Sequence, residues 1–312
     1  MLSEIKSQML SRIGYATTKI ARKLLLKNKG DKLETIRQLS EKLDVGRGTV
    51  QSALDFLKQN NVIEVESRGH LGTYLKDLNY KLLWEIADVG MIMGVMPLPY
   101  SLKYEGLATA FNKQFQELNI PFNMAFIRGA RNRINVLNNQ YYDFVIASRF
   151  AAKQIVKKNE QLKLLYDFGQ NSYLSKHVIV FAENNNEIED GMKIGIDKYS
   201  IDHKYLTELE CENKEVEYVE LTYLQILQHI HSKRIDAAIW NYDEIVNQEE
   251  KFKFVPLQKP ESVKMNNEIS RAAVIINKNN EIIENILSNN IKHDDMLEIQ
   301  NSVIEHEIIP EY

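Results

Sequence analysis

A small helix-rich front module joined to a two-lobe α/β body is the fold class this sequence predicts. Three observations predict it. Basic charge gathers at the front: residues 1–80 hold 14 Lys and Arg against 9 Asp and Glu, whereas the rest of the chain holds 25 against 34. Hydrophobic spacing is helical up to about residue 60, and after residue 90 it becomes apolar strands separated by helical stretches. That alternation starts afresh at Lys193, beyond the hydrophilic run Glu183 to Asp190.

The 312 residues suggest two domains, or three, at roughly 150 residues each. A content of 44% hydrophobic and 26% charged residues is that of a soluble globular protein, and 13 Gly and 6 Pro exclude a collagen-like or low-complexity chain. The single cysteine, Cys211, excludes a disulfide scaffold and a multi-cysteine zinc site, and fits a reducing, cytoplasmic compartment. The longest apolar stretch, Leu82 to Leu98, is interrupted by Glu85 and Asp88, so no membrane span is expected. Glu4, Lys6, Arg12 and Lys19 leave no apolar core for a secretory signal in the first twenty residues.

In the front module, residues 17–27 read as a helix with Ile20, Leu24 and Leu25 on one face. A second helix is expected over 34–43, with Ile36, Leu39 and Leu43 inward. Asp44-Val45-Gly46 forms a tight turn, and a third helix runs from Arg47 to Asn60 on a Val50, Ala53, Leu54, Leu57 stripe. VIEVE and Gly72 to Leu75 are two short strands around the turn Ser67-Arg68-Gly69-His70. Helix, helix, turn, helix and hairpin make a winged helix-turn-helix. Its third helix leaves Arg47, Thr49 and Gln51 facing outward at the end that such motifs present to base edges in a major groove. Arg37 joins them from the second helix, and Arg68 and His70 at the wing tip suit phosphate or minor-groove contact. The partner expected is double-stranded operator DNA; the plainer alternative is a three-helix protein-interaction module.

The stretch from Glu34 to Leu75 resembles the GntR-type winged helix. Arg37, Val45, Arg47, Thr49, Val50, Ala53, Leu54, Gly69 and Gly72 stand where that family has matching residues. Two positions depart from it. Gly46 replaces the usual Ser and removes a capping hydroxyl, and Gln51 replaces a frequent Arg that reads bases or phosphates.

In the body, MIMGVM (91–96), FNMAFI (122–127) and YDFVIAS (142–148) are strands, each followed by a helix. LKLLYDF and HVIVFAE follow. KIGID (193–197), VEYVEL and RIDAAIW (234–240), with helices from Ile201 and Tyr223, form a second set. AAVIIN (272–277) reads as the return to the first lobe, and 280–306 as a C-terminal helix. Alternation of this kind predicts parallel sheets. The expected domains are 1–80 and 85–312, the latter split into lobe 1 (about 85–182 and 265–312) and lobe 2 (about 183–264).

This body resembles the type 2 periplasmic-binding-protein fold, chiefly through the Asp-led strands YDFVIAS and IDAAIW. With PLPYS, RGARNRI and the DFVIASR strand end, the whole chain resembles a YhfZ-type transcriptional regulator. The resemblance implies an N-terminal DNA-binding domain and a two-lobe effector domain, and names no effector.

No G-x-S-x-G, P-loop, G-x-G-x-x-G or H-E-x-x-H motif occurs. His229 and His231 point nearly opposite ways on a helix, so no metal, cofactor or catalytic residue is expected. A cleft between two α/β lobes gathers strand ends. From lobe 1 these are Pro97, Tyr100, Ser101, Arg128, Gly129, Ser148 and Arg149. From lobe 2 they are Asp197, Tyr199, Ser200, Trp240 and Asn241. Two guanidiniums and the helix starts at Ser101 and Ser200 favour a small carboxylate or phosphate. Asp197 leaves open an amine on the same ligand, and ion-paired arginines in a closed cleft are the competing reading. The function expected is a ligand-responsive, homodimeric regulator, held together by the body and the segment Ile5 to Ile13. An enzyme with an appended winged helix and a partner-docking module are the alternatives.

Overall fold

The computed structural model describes residues 11–246 and 251–312; Ile5 to Met9 and Leu10 of the segment expected to aid dimerisation lie outside them. The first helix, α1 (Arg12–Leu24), starts five residues earlier than expected because the Ser11 hydroxyl accepts the Gly14 amide at 3.1 Å and caps it. α2 (Ile36–Leu43) begins with a capping box between Thr35 and Gln38. It ends at Asp44, whose left-handed backbone (φ 52°) makes the tight turn. α3 (Arg47–Gln59) follows Gly46, which offers no capping side chain. The wing is β1 (Ile63–Ser67) antiparallel to β2 (Thr73–Leu78), with a register shift at Glu64/Val65. Ile20, Leu24, Val50, Ala53 and Leu57 bury the contact between α1 and α3.

The chain divides into two compact units. The first contains residues 11–92 with Gln114–Phe122 and Glu281–Ile291. It includes α4 (Tyr80–Ala87), which Arg22 fastens to α1: Nε donates to the Ala87 carbonyl at 2.7 Å and Nη2 to that of Asp88 at 2.8 Å.

The second unit carries two five-stranded sheets. In chain order come β3 (Ile92–Met96), α5 (Leu102–Glu117), β4 (Phe122–Phe126), α6 (Ala130–Asn138), β5 (Phe144–Ser148), α7 (Arg149–Lys158) and β6 (Leu162–Asp167). Then follow β7 (His177–Phe181), β8 (Lys193–Ile196), α8 (Ile201–Glu210), β9 (Glu217–Glu220), α9 (Tyr223–His231) and β10 (Ala237–Asn241). Last are β11 (Lys253–Pro256), α10 (Pro260–Ile269), β12 (Ala272–Asn277), α11 (Glu281–Asn289), which belongs to the first unit, and α12 (His293–Ile304). The first sheet has the order β4-β3-β5-β12-β6 and the second β11-β7-β10-β8-β9.

Three expectations are corrected. The sheets are mixed rather than parallel: β12 runs against β5 and β6, and β7 against β10. A strand arriving from the other lobe enters at the cleft edge, beside the C-terminal ends of β5 or β10, and so must run against them; Ala272 pairs with Ser148, and His177 with Asn241. HVIVF, expected in lobe 1 with a boundary at 182, belongs to the second sheet, which therefore starts at His177. The C-terminal helix is two, because the chain breaks at Asn290 and Ile291. AAVIIN does return to the first sheet as β12.

Helices pack onto a face of each sheet. Val95, Val145, Ala147 and Ile275 pack with Ile134 and Leu137 of α6 and Ala151 of α7. Val178, Val180, Ala238 and Trp240 pack with Ile226 and Ile230 of α9. Among the described residues, no helix is long and apolar enough to cross a membrane.

Candidate nucleic-acid interface and ligand cleft

At the end of α3, Arg47 and, on the wing, His70 are exposed; with Thr49, their side chains make no hydrogen bond or ion pair among the described residues. The other three expected DNA contacts are tied to neighbouring acids. Arg37 Nε donates to Glu41 at 2.8 Å, and Arg68 reaches Glu66 at 2.8 Å while lying over the Tyr74 ring at 4.6 Å. Gln51 Nε2 sits 2.9 Å from both oxygens of Asp55. Exposed pairs of this kind are worth about 0–1 kcal/mol, so a phosphate can displace the acid at little cost.

A cavity of about 80 Å³ lies where the two sheets' strand ends converge. One water needs about 10–15 Å³ by this measure, so a compact metabolite fits. Pro97, Tyr100, Arg128 and Gly129 line it from lobe 1, and Asp197, Ser200 and Asn241 from lobe 2. The Arg128 side chain has no protein partner among the described residues. Gly129 is the N-cap of α6 at φ 77°, and a Cβ there would lie 3.2 Å from the Tyr199 carbonyl. Glycine thus serves both a left-handed backbone and a close approach of the lobes.

Five expected residues do not line the cavity. Arg149 is engaged by Asp167 and Glu268, each at 3.3 Å, as the competing reading held. Ser148 caps α7 through the Ala151 amide at 3.0 Å and its Oγ donates its one proton to Asp202 Oδ1 at 2.7 Å. Ser101 is buried below the start of α5. Tyr199 points outward, 49% exposed. Trp240 faces the α9 side of its strand, where its ring stacks on Tyr223 at 3.8 Å and 11°.

Other lining residues came from helix faces that strand-end reasoning passes over. Arg133 is 3% exposed; Nη1 donates to the Ile127 carbonyl at 2.8 Å, Nη2 lies 3.5 Å from the Tyr173 hydroxyl, and Nε has no partner. The signal was available: Arg133 falls on the Ala130, Ile134, Leu137 stripe, where a guanidinium does not belong in a plain core. Asp202, His203, Tyr223 and Glu244 line the lobe 2 wall. Burial pushes Asp202 up to about 6 and Glu244 up to about 8, against hydrogen bonds from Ser148 to the first and from Tyr223 and Asn241 to the second. Burial pulls His177 and His203 down to about 4, and the His203 Nδ1 accepts the Asp197 amide at 3.2 Å. Tyr100 and Tyr223 stack across the cleft with ring centres 5.8 Å apart. A wider hollow of about 720 Å³ lies at the base of the wing, lined by charges of both signs including Lys58, Glu64, Lys81 and Glu117; mixed solvated charge selects no ligand class.

The chain matches two family models, a YhfZ C-terminal domain over residues 79–312 and a helix-turn-helix domain over residues 28–75. The YhfZ protein of Escherichia coli (strain K12) is 33% identical over 237 residues, covering 76% of this chain and 77% of that protein. The crystal structure of YhfZ from Shigella flexneri superposes with a TM-score of 0.62 at 29% identity, covering 75% of this chain and 98% of that one. An ancestral arginine-binding protein bound to arginine gives 0.50 at 15% identity, covering 70% and 97%. The periplasmic aliphatic sulphonate binding protein SsuA of Escherichia coli gives 0.51 at 13%, covering 70% and 74%. At those last identities the likeness concerns the fold alone, a periplasmic-binding-protein-like body behind a helix-turn-helix.

Proposed function

Because this chain belongs to the YhfZ family and carries a helix-turn-helix domain, we propose that it is a transcriptional regulator whose cleft senses a small anionic metabolite. A DNA-binding module on a binding-protein-like body is the architecture of a regulator rather than of an enzyme. The single observation that carries the sensing reading is Arg128: a partly buried guanidinium lining the cavity, beside the first turn of α6, with no ion pair among the described residues. Its unpaired N–H donors are free to take up a bound anion through charge-assisted hydrogen bonds. Ligand binding would hold the lobes at the contacts Gly129–Tyr199, Tyr100–Tyr223 and Ser148–Asp202 and so select one arrangement of the body.

The DNA-facing set is Arg37, Arg47, Thr49, Gln51, Arg68 and His70. The unit is a homodimer, since operators are commonly read as paired half-sites about one helical turn apart. It acts in the cytoplasm, where its DNA lies. The domains remain those proposed from sequence, with the second lobe starting at His177.

Two measurements test this. Double-stranded DNA selected from a random pool should bind the full chain, and Arg47→Ala should flatten log K against log[salt] by about 0.9 for the lost phosphate contact. Small carboxylates and phosphates should be screened for thermal stabilisation of the full chain. A ligand at 100 times its Kd adds about 2.7 kcal/mol, and Arg128→Ala should abolish the shift. Stabilisation only by cations or neutral sugars, unaffected by Arg128→Ala, would refute the anion site.

A further inference from the structure

The cavity wall is not uniformly basic. On the lobe 1 side, Arg128 and the Nε of Arg133 present donors that no protein group accepts. Arg133 is almost wholly buried, so its orphaned N–H asks for an acceptor inside the cavity. Lobe 2 contributes two carboxylates to the same cavity, Asp197 just after β8 and Asp202 in the first turn of α8. Asp197, 1% exposed, accepts the amides of Tyr199 at 2.9 Å and Tyr223 at 3.0 Å. Asp202 accepts the Ser148 hydroxyl on Oδ1 and leaves Oδ2 open. Neither carboxylate forms an ion pair among the described residues. Glu244, lifted by burial to about 8 and so protonated at neutral pH, lines the same wall as a neutral group hydrogen-bonded to the Tyr223 hydroxyl at 2.8 Å, and adds no negative charge.

A ligand bearing only negative charge would satisfy the arginines and sit against these acids. Like charges brought together in a desolvated site repel strongly, and an open carboxylate oxygen would be left without a donor. A ligand bearing only positive charge would have the opposite fault. One carrying both, a few atoms apart, meets both walls. An ammonium has three donors and no acceptor, which suits an open carboxylate oxygen.

We infer that the ligand is a small amino acid or similar zwitterion, its carboxylate held by Arg128 and Arg133 Nε and its ammonium by Asp202 Oδ2, with Asp197 as the second negative neighbour. This rests on the reading of the cleft as an anion-sensing site and narrows it. Asp202, although raised by burial, remains ionised at neutral pH, and an ammonium beside it would draw its proton affinity down again. The volume of about 80 Å³ restricts the side chain to a small one.

The experiment compares matched pairs on the full chain by thermal shift and calorimetry: alanine with propionate, aspartate with succinate, glutamate with glutarate, and inorganic phosphate alongside. At least one amino acid should bind, and removing its amino group should weaken binding roughly tenfold or more, the scale of a lost charge-assisted hydrogen bond. Asp202→Asn keeps an oxygen for Ser148; it should weaken binding of the amino acid, erase its advantage over its deaminated partner, and leave the partner binding at least as tightly as to wild type. Should the variant fold poorly, the wild-type pairs still decide the question. Binding of the deaminated acids or phosphate as tightly as the amino acids overturns the zwitterion and leaves the sensor standing. Absence of binding by every compound overturns both.

Discussion

Glu244 offers a stability test confined to one pH window. Its Oε1 accepts the Tyr223 hydroxyl at 2.8 Å and Asn241 Nδ2 at 3.3 Å, and burial lifts it from 4.5 to about 8. The folded protein therefore holds a proton that the unfolded chain has released above 4.5. The stability linked to that proton is fully present below pH 4.5 and is lost as pH rises through about 8. The neighbouring groups act lower. Asp202 loses its contribution by about 6, whereas His177 and His203, both pulled down to about 4, contribute stability above 6.5 that disappears on acidification. Between pH 6.5 and 8 the Glu244 proton stands apart from all three. One pH unit is worth at most about 1.4 kcal/mol, so the window holds about 2 kcal/mol. Glu244→Gln keeps the Oε1 acceptor and removes the titration. Urea midpoints of the ligand-free chain at several pH values across the window should fall for wild type and stay level for the variant. Parallel curves for the two proteins would refute the reasoning.

Three further outcomes are expected. Arg149→Ala should cost about 1 kcal/mol or less by urea midpoint, and leave ligand-induced thermal shifts unchanged, because its partners Asp167 and Glu268 lie outside the cavity; loss of the shift would contradict that placement. Gly106→Ala should destabilise by about 1–3 kcal/mol in urea, because its Cβ would lie 2.8 Å from the Gln300 carbonyl, and Gln300 is pinned by hydrogen bonds to the Lys103 and Ser172 carbonyls, each at 2.8 Å. An unchanged midpoint would show that α5 and α12 separate freely. Light scattering at micromolar concentration, with and without operator DNA, should report a dimer; a monomer under both conditions would remove the paired half-site reading.

The parts of this molecule written in local sequence were legible. Asp44-Val45-Gly46 specifies its turn through residues that tolerate the left-handed and extended backbone found there. Strand ends pointed to Arg128, Gly129, Asp197 and Ser200 because a βα turn delivers whatever follows the strand to the cleft edge. What failed depended on partners remote in sequence. Arg149 also follows a strand, but Asp167 and Glu268 arrive from 18 and 119 positions away and claim it. Trp240 ends a strand on which every residue is buried, so no alternation of polarity tells which face it takes. Strand direction was missed for a similar reason: HVIVF and AAVIIN are apolar runs with no alternation of polarity, and such runs suit either orientation of a covered strand.

The adjacency of β7 and β11 brings the second lobe's entry and exit side by side. The chain enters that lobe along β7 and leaves it along β11, and Val178 pairs with Pro256, so entry and exit stand only one strand spacing, about 5 Å, apart. Everything between them is a closed excursion from the first sheet, which resumes with β12 as though uninterrupted. A gene could have acquired or exchanged this lobe in a single insertion without rethreading its host, because the splice needs no more than a tight turn to heal. Asp197, Asp202 and Glu244 would travel with the insert, while Arg128 and Arg133 stay behind as the host's share of the cavity wall.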